Sequence, residues 1–472
     1  MSATRWDTFL YGGSAVFAVL MALVTTQPAQ RQWGEMAAGP YAIGAGLAWW
    51  LGRRSAGRGQ PRLLVLRYAI GVAVFVAVVA VPLILEADWQ QDCAACIHEQ
   101  PEVGVIIRAA SREYAHQPLY RLAGSDFEKY FPYQPAMAFF GAPAAVRRAS
   151  WTDPRIGFTA VGVVTIAAAL VLLRVRGPTR LRAGQLLLAS PAFALAAATG
   201  GDDLPVIGLM VLALACFHNR KAVASGLAFG GAAMLKLTAW PLGPLLLVAA
   251  YSQRWSRRRT VMAMAAAVAL MAGSFYFSKP GSSTAVLDNL LLFPLGLSPA
   301  HSPAASPLPG EILATDFGTL GHRIALGCLA LAEAAICLRV WRGRRYRSTS
   351  DVASWLAAGM LAAILFSSAS RFGYLIYPAD LFVFAYLARR HPPAAETGGF
   401  CREATGADSR DPLRRWLRLT GASAERVAPA DGFDGGRRRY AHAGYAADGV
   451  GSSWGQGSAD SEADGGGDCL SI

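Results

Sequence analysis

Apolar residues along this chain come in long runs rather than in short alternations. YAIGVAVFVAVVAVPLIL (68–85) and FTAVGVVTIAAALVLL (158–173) contain no charged side chain. A bilayer crossing needs about 20 mostly apolar residues, so runs of this kind predict membrane helices. About twelve follow along the chain, at 9–26, 38–52, 62–85, 156–174, 183–199, 203–217, 222–236, 239–251, 258–277, 319–340, 352–368 and 372–389. Several are shorter than a full crossing and are extended by flanking aromatics such as Trp49, Trp50, Trp240 and Tyr251. The expected fold is an all-α polytopic membrane protein. The first run, FLYGGSAVFAVLMALV, has no clear small-residue cleavage site after it and reads as a retained span.

Composition agrees with this reading: 54% of residues are hydrophobic, 16% are charged, and the mean hydropathy is +0.32. The net charge of +13 would suit nucleic acid, but its distribution does not. Arginines gather in short connectors, GRRSAGRGQPR (52–62), RVRGPTRLR (174–182), SQRWSRRR (252–259) and RVWRGRRYR (339–347). That is the positive-inside pattern, which sets orientation, and no nucleic-acid partner is expected. With these connectors inside, the loops at 86–134, 200–202, 278–316 and 369–371 lie outside and both termini are cytoplasmic. AMAFFGAPAAV (136–146) does not fit as a span, because counting it would push RVRGPTRLR to the outer side. It reads as an interfacial or re-entrant segment. The transmembrane domain thus covers 1–390, and 391–472, rich in Gly, Ser and Asp, reads as a disordered cytoplasmic tail.

The outer loops hold the candidate chemistry. In TGGDDLP (199–205), Asp202 and Asp203 sit at a seam between two apolar runs. One of the two is expected to cap the helix that follows, whose Pro205 lies in the first turn. The loop 86–134 is acid-rich, with Asp88 and Glu102 among its carboxylates. Within it, PEVGVIIRAASREYA places Val103, Ile106, Ile107 and Ala110 at the spacing of an amphipathic surface helix. FPLGLSPAHSPAASPLPG (293–310) reads as extended. Lys236 ends a span and Arg371 stands alone among apolar residues, each either snorkelling or contacting a phosphate. Tyr130 and Tyr133 fit sugar stacking or an interface belt equally well, and His301 fits an ordinary loop. Cys93 and Cys96, in DCAAC, form a local disulfide or stay as two thiols. Zinc would want two more ligands and only His98 is near, so no metal site is expected.

This layout suits sugar transfer from a lipid phosphate. The acceptor hydroxyl loses a proton as it attacks the anomeric carbon, which calls for a carboxylate base. The departing phosphate gains charge and calls for a cation.

The block GGDDLPVIGLMVLALACFHNRKAVASGLAFGGAAMLKLTAWPLGPLLL resembles the central region of bacterial GT-C glycosyltransferases. The nearest resemblance is to the actinobacterial members of glycosyltransferase family 87, the polyprenol-phosphate-mannose-dependent mannosyltransferases. HEQPEVGVIIRAA, FPYQPAMAFFGAP, FPLGLSPAHSPAASPLPG and SRFGYLIYPADL are similar as well, so the resemblance covers about 60–390. It implies a GT-C-like fold with interfacial or re-entrant helices in the outer loops. It also implies inverting transfer, metal-independent or weakly metal-dependent, from a polyprenyl-phosphate sugar to a glycolipid or glycan acceptor, amid membrane lipids and with no further cofactor. The family's base is typically an acid in the first outer loop near the end of a span. Asp88, in LEADWQQD, matches by position, and Glu102 competes with it. Asp202, Asp203, Lys236, Arg371, Tyr133 and His301 make up the expected substrate-binding set. A secondary transporter or lipid-linked-sugar flippase is the alternative. It would want mid-span ionisable groups and an inverted repeat, whereas the acids stand at span ends. A scaffold without catalysis is a third reading.

Overall fold

Every apolar run becomes helix. In chain order the helices are α1 (Ala3–Val24), α2 (Pro28–Arg53), α3 (Gln60–Phe75), α4 (Val81–Asp92), α5 (Pro101–Tyr114), α6 (Ala142–Val146), α7 (Pro154–Leu172), α8 (Gly177–Leu187), α9 (Pro191–Thr199), α10 (Asp203–His218), α11 (Ala222–Ala233), α12 (Leu242–Ser252), α13 (Arg257–Phe277), α14 (Ser283–Leu287), α15 (Pro309–Arg342), α16 (Thr349–Phe366) and α17 (Ile376–Arg390). The computed structural model describes residues 3–54, 60–92, 98–122, 124–300, 302–342 and 348–392, all within the unit Met1–Arg402. The expected tail beyond 392, the Cys93/Cys96 pair and His301 lie outside the described residues. Among the described residues there is no strand, only one isolated bridge between Ala305 and Ser370.

One helix or helix pair falls on each of the twelve proposed spans. Among the described residues, five helices are long and apolar enough to cross a membrane: Ala3–Val24, Pro61–Asp92, Pro154–Leu172, Arg257–Phe277 and Thr349–Phe366. A sixth is added if α8 and α9, bent by 46°, cross together. Length explains most of the shortfall. At 1.5 Å per residue, the 16 residues of α10 reach about 24 Å, short of the roughly 30 Å hydrocarbon core. α11, α12 and α17 are shorter still, and α15 is broken at Gly318 (φ +54°). The 136–146 segment is a 3₁₀ turn, Pro135–Gly141, followed by α6, and is too short to cross. The surface helix is present as α5. It buries Val103, Ile106, Ala109 and Ala110, with Ala109 rather than Ile107 on the inner face. Its Ile106 carbonyl lies 2.6 Å from where a Cβ on Gly141 would stand, so α5 packs on the protein's own 3₁₀ turn.

α10 is the centre of the bundle, with every residue but Leu209 and Leu212 buried. α7, α10 and α17 run parallel and are tied at both ends. At the starting end, Arg155 of α7 donates to the Ala198 carbonyl just before α10 (2.6 Å), and the Tyr377 hydroxyl of α17 donates to Asp203 (2.6 Å). At the far end, Asn219 donates to the Leu172 carbonyl (3.1 Å) and the His218 ring meets the His391 carbonyl (2.8 Å).

The two ends differ in character. At the far end α7, α10 and α12 each stop on an arginine in the left-handed region: Arg174 (φ 56°), Arg220 (φ 55°) and Arg254 (φ 52°). Each N–H returns to a carbonyl three residues back, and the next N–H to one five back, at 2.9–3.2 Å. This double return closes the open carbonyls of a helix end, and the positive charge complements the helix dipole. At the starting end the four predicted outer loops meet. Gln100 donates its N–H to the Thr199 carbonyl (2.7 Å), Leu119 to Lys279 (2.7 Å) and Ser306 to Ser370 (2.9 Å). The 278–316 loop is not wholly extended, because Ser282 accepts from the Ala285 N–H (3.2 Å) and starts α14.

Candidate active site

The chain turns sharply at 199–203 because two glycines permit it. Gly201 has φ +78°, and a Cβ on Gly200 would stand 2.6 Å from the Gln100 amide oxygen. That tight turn presents Asp202 and Asp203 side by side. Neither carboxylate caps α10 as expected: Asp202 occupies the cap position with no side-chain capping bond. Both instead hold Lys236, at the end of α11, with Nζ 2.9 Å from Asp202 Oδ2 and 2.5 Å from Asp203 Oδ1. All three are nine-tenths buried or more. Two carboxylates cancel the cost of placing one ammonium there, since breaking such a cluster would leave an unmatched buried charge.

Tyrosines surround the ammonium. The Tyr133 and Tyr374 rings lie 5.4 and 5.1 Å from Nζ, within cation–π range. The Tyr377 hydroxyl donates to Asp203 Oδ1 (2.6 Å) and accepts from Thr238 (3.2 Å). α17 supplies Tyr377, and the 3₁₀ turn before it, Phe372–Leu375, supplies Tyr374.

Next to this cluster Arg371 forms an ion pair with Glu102 and reaches the Gln100 amide oxygen (3.4 Å). Glu102 stands in the first turn of α5, where its charge suits the helix N-terminus. Burial pushes the Glu102 carboxyl above its ordinary value, and the Arg371 charge only partly offsets this. Burial alone would lower Arg371, but Glu102 and its other anionic neighbours outweigh it and hold the guanidinium firmly charged. The second carboxylate oxygen of Glu102, Oε2, is buried and has no hydrogen-bond partner. Buried, unsatisfied acceptors are uncommon in a native interior, though Glu86 and Asp380 hold such oxygens too.

The structure therefore brings Glu102, Asp202, Asp203, Lys236, Arg371 and Tyr133 together, from five separate stretches of chain. Asp88 is not among them. It is exposed at the end of α4 and accepts a hydrogen bond from Ser150 (2.8 Å). Tyr130 faces elsewhere, stacked on Phe293 with centroids 4.3 Å apart. Other acids lie within helices rather than at their ends, among them buried Asp380 in α17, buried Glu86 in α4, and Glu333 in α15. The sequence reading missed Gln100, Tyr374, Tyr377 and Arg155. The spacing of Tyr374 and Tyr377, three apart on one helical turn after Arg371, was the available signal. Among the described residues no cluster of His, Cys, Asp and Glu could hold a metal ion.

A helical multi-span membrane protein with buried paired charges where its loops converge is the class that fold and site define. The sequence model of glycosyltransferase family 87 matches residues 131–368, half of the 472-residue chain, and the chain belongs to that family. The match includes Tyr133, Asp202, Asp203 and Lys236. Glu102 and Arg371 lie on either side of it. No curated protein matches the chain by sequence. Among solved structures it is similar to ArnT from Cupriavidus metallidurans bound to undecaprenyl phosphate (17% identity, TM-score 0.44, 68% of this chain and 60% of that one). It is similar also to the same protein in the apo state (20% identity, TM-score 0.40, 68% and 59%). The chain thus spans about three fifths of the length of that protein.

Proposed function

We propose that this membrane glycosyltransferase moves a sugar, mannose by its sequence resemblance, from a polyprenyl-phosphate donor to an envelope glycolipid or glycan. The transfer takes place at the extracytoplasmic face, by a single inverting displacement. Glu102, rather than Asp88, is the base. The observation that carries this choice is the unpartnered Glu102 Oε2 beside a fixed pair of cations. A base must reach the acceptor hydroxyl, and a buried oxygen with nothing bound to it is free to do so. The acceptor oxygen forms its bond to the anomeric carbon as the bond to the phosphate oxygen breaks, and Glu102 takes the hydroxyl proton.

The cations serve the leaving group. An ammonium has three donors, Asp202 and Asp203 take two of them, and the third remains for a phosphate oxygen. Arg371 offers a planar fork that suits phosphate. A phosphate arriving at Arg371 competes with Glu102 for it, so donor binding loosens the base at the moment it is needed. Tyr133 and Tyr374 offer ring faces to the sugar. The arginine-rich far end supports this sidedness, since the positive-inside rule favours such an end in the cytosol.

The test uses purified protein in detergent with radiolabelled polyprenyl-phosphate mannose and membrane acceptors. Label should move to a glycolipid or glycan, and Glu102→Gln should stop it. Wild-type protein that neither transfers nor hydrolyses any polyprenyl-phosphate sugar would overturn the reading. In intact cells, an impermeant thiol reagent should label Asp88→Cys; reaction only after lysis would place the site on the wrong side.

A further inference from the structure

We propose that Arg155 is the positioning residue of the site, a buried latch that sets the two backbone segments bearing its carboxylates. The inference rests on the proposed function for its catalytic readout. Arg155 is the second residue of α7 and is fully buried. One edge of its guanidinium is held by Asp153, with Nε 3.0 Å from Oδ1 and Nη2 2.7 Å from Oδ2. Glu86 Oε2, also buried, stands 3.9 Å from Nη1. Held in this way, Nη1 donates to two carbonyls at once, His98 (2.8 Å) and Ala198 (2.6 Å).

Those carbonyls belong to different parts of the chain. His98 lies four residues before Glu102, and Ala198 lies four before Asp202. The same two segments are zipped a step further on. The Gln100 N–H donates to the Thr199 carbonyl (2.7 Å), and the Gln100 side chain donates to Thr199 Oγ1 (3.2 Å). Gln100 then receives Arg371. One guanidinium therefore fixes the distance between the base and the carboxylates that hold Lys236. It touches neither, and it is fully buried. A planar fork can bridge two carbonyls while bound to a carboxylate, and an ammonium cannot reproduce that geometry.

The experiment compares Arg155→Gln, Arg155→Lys and Thr199→Val with wild-type protein, following kcat and donor KM separately along with amide hydrogen exchange. Misplacing a reacting group by about 1 Å costs on the order of 100-fold in rate. Arg155→Gln should therefore lose roughly that factor in kcat with donor KM little changed. Arg155→Lys should recover part of the loss, and Thr199→Val should show a smaller loss of the same kind. In all three, exchange should rise at 98–103 and 198–203 and stay at the wild-type level at 215–220. If Arg155→Gln does not fold, the lysine and valine variants decide. Wild-type kcat and exchange in both would overturn the latch, as would a rise in exchange across the whole bundle. Wild-type protein without transfer activity would overturn the proposed function instead, and the exchange measurements would still test the latch.

Discussion

Two buried ionic clusters stand at opposite ends of the bundle, built from the same materials. At the arginine-rich end, Arg67 presents its fork to Asp7, with Nε 2.6 Å from Oδ2 and Nη2 2.9 Å from Oδ1, and Gln185 adds a third bond to Asp7 (3.2 Å). One cation meets one anion, and both carboxylate oxygens are satisfied. At the loop end, two cations face three carboxylates, and Glu102 Oε2 has no partner. The first arrangement is closed at its ion pair, with only the neutral Gln185 amide oxygen left unpartnered, and its gain is a fixed contact between α1, α3 and α8. The second is open, holding an unpartnered carboxylate oxygen beside two cations. A closed cluster staples helices, whereas an open one can take a ligand.

The sharpest way to break this contrast is substitution at the open oxygen. Glu102→Gln keeps the shape, removes the base and takes the charged partner from Arg371, so kcat of the folded fraction should fall by roughly 10²–10⁴-fold. A variant retaining wild-type kcat would move the base elsewhere, with Asp88 the first place to look. Asp7→Ala should do the reverse. It leaves the buried Arg67 charge unmatched and should cost about 3–5 kcal/mol of stability, read by thermal unfolding in detergent, while the kcat of the folded fraction stays at the wild-type value.

A pH profile sharpens the same comparison. The Glu102 pKa is raised in the folded protein by burial, so the protonated, inactive form persists above the ordinary carboxylate range. Activity should rise with pH through that displaced value. The sign for stability is opposite: a carboxyl that binds its proton more tightly when folded makes folding less favourable as pH rises from its unfolded to its folded pKa. An acid limb at the ordinary glutamate value would show that the titrating base is exposed. The smallest expected effect lies at the far end. Arg220→Gly should remove the strain of a side chain in the left-handed region and raise stability by roughly 1 kcal/mol, with orientation kept by the remaining arginines.

Much of the fold was legible because lipid imposes a simple rule on sequence. Apolar runs gave the helices, and the arginines gave the two ends. The count of crossings was less legible, since α10 is apolar on all sides whether it meets lipid or protein, and here it meets protein. The site was legible residue by residue and not as a set. Asp202, Asp203, Lys236, Glu102 and Arg371 each stood out as charge near a membrane boundary. Their pairings join positions 33 to 269 residues apart, and periodicity reports faces of one element, not which elements meet. Asp88 drew notice by its place after a span, but its α4 turn points it outward. Arg155 was hidden by its context. In TDPRIGF the aspartate and proline read as an ordinary helix start, which they are, and the arginine behind them passes for an interface residue.

The lacing of α7, α10 and α17 at both ends has a mechanical consequence. A unit pinned top and bottom should not rock about its middle, so any movement on donor binding would fall to helices outside it, such as α13. Distances between labels on α7 and α17 should hold constant as donor is added, whatever changes are seen from either to α13. These three helices are better pictured as a fixed jaw than as halves that part.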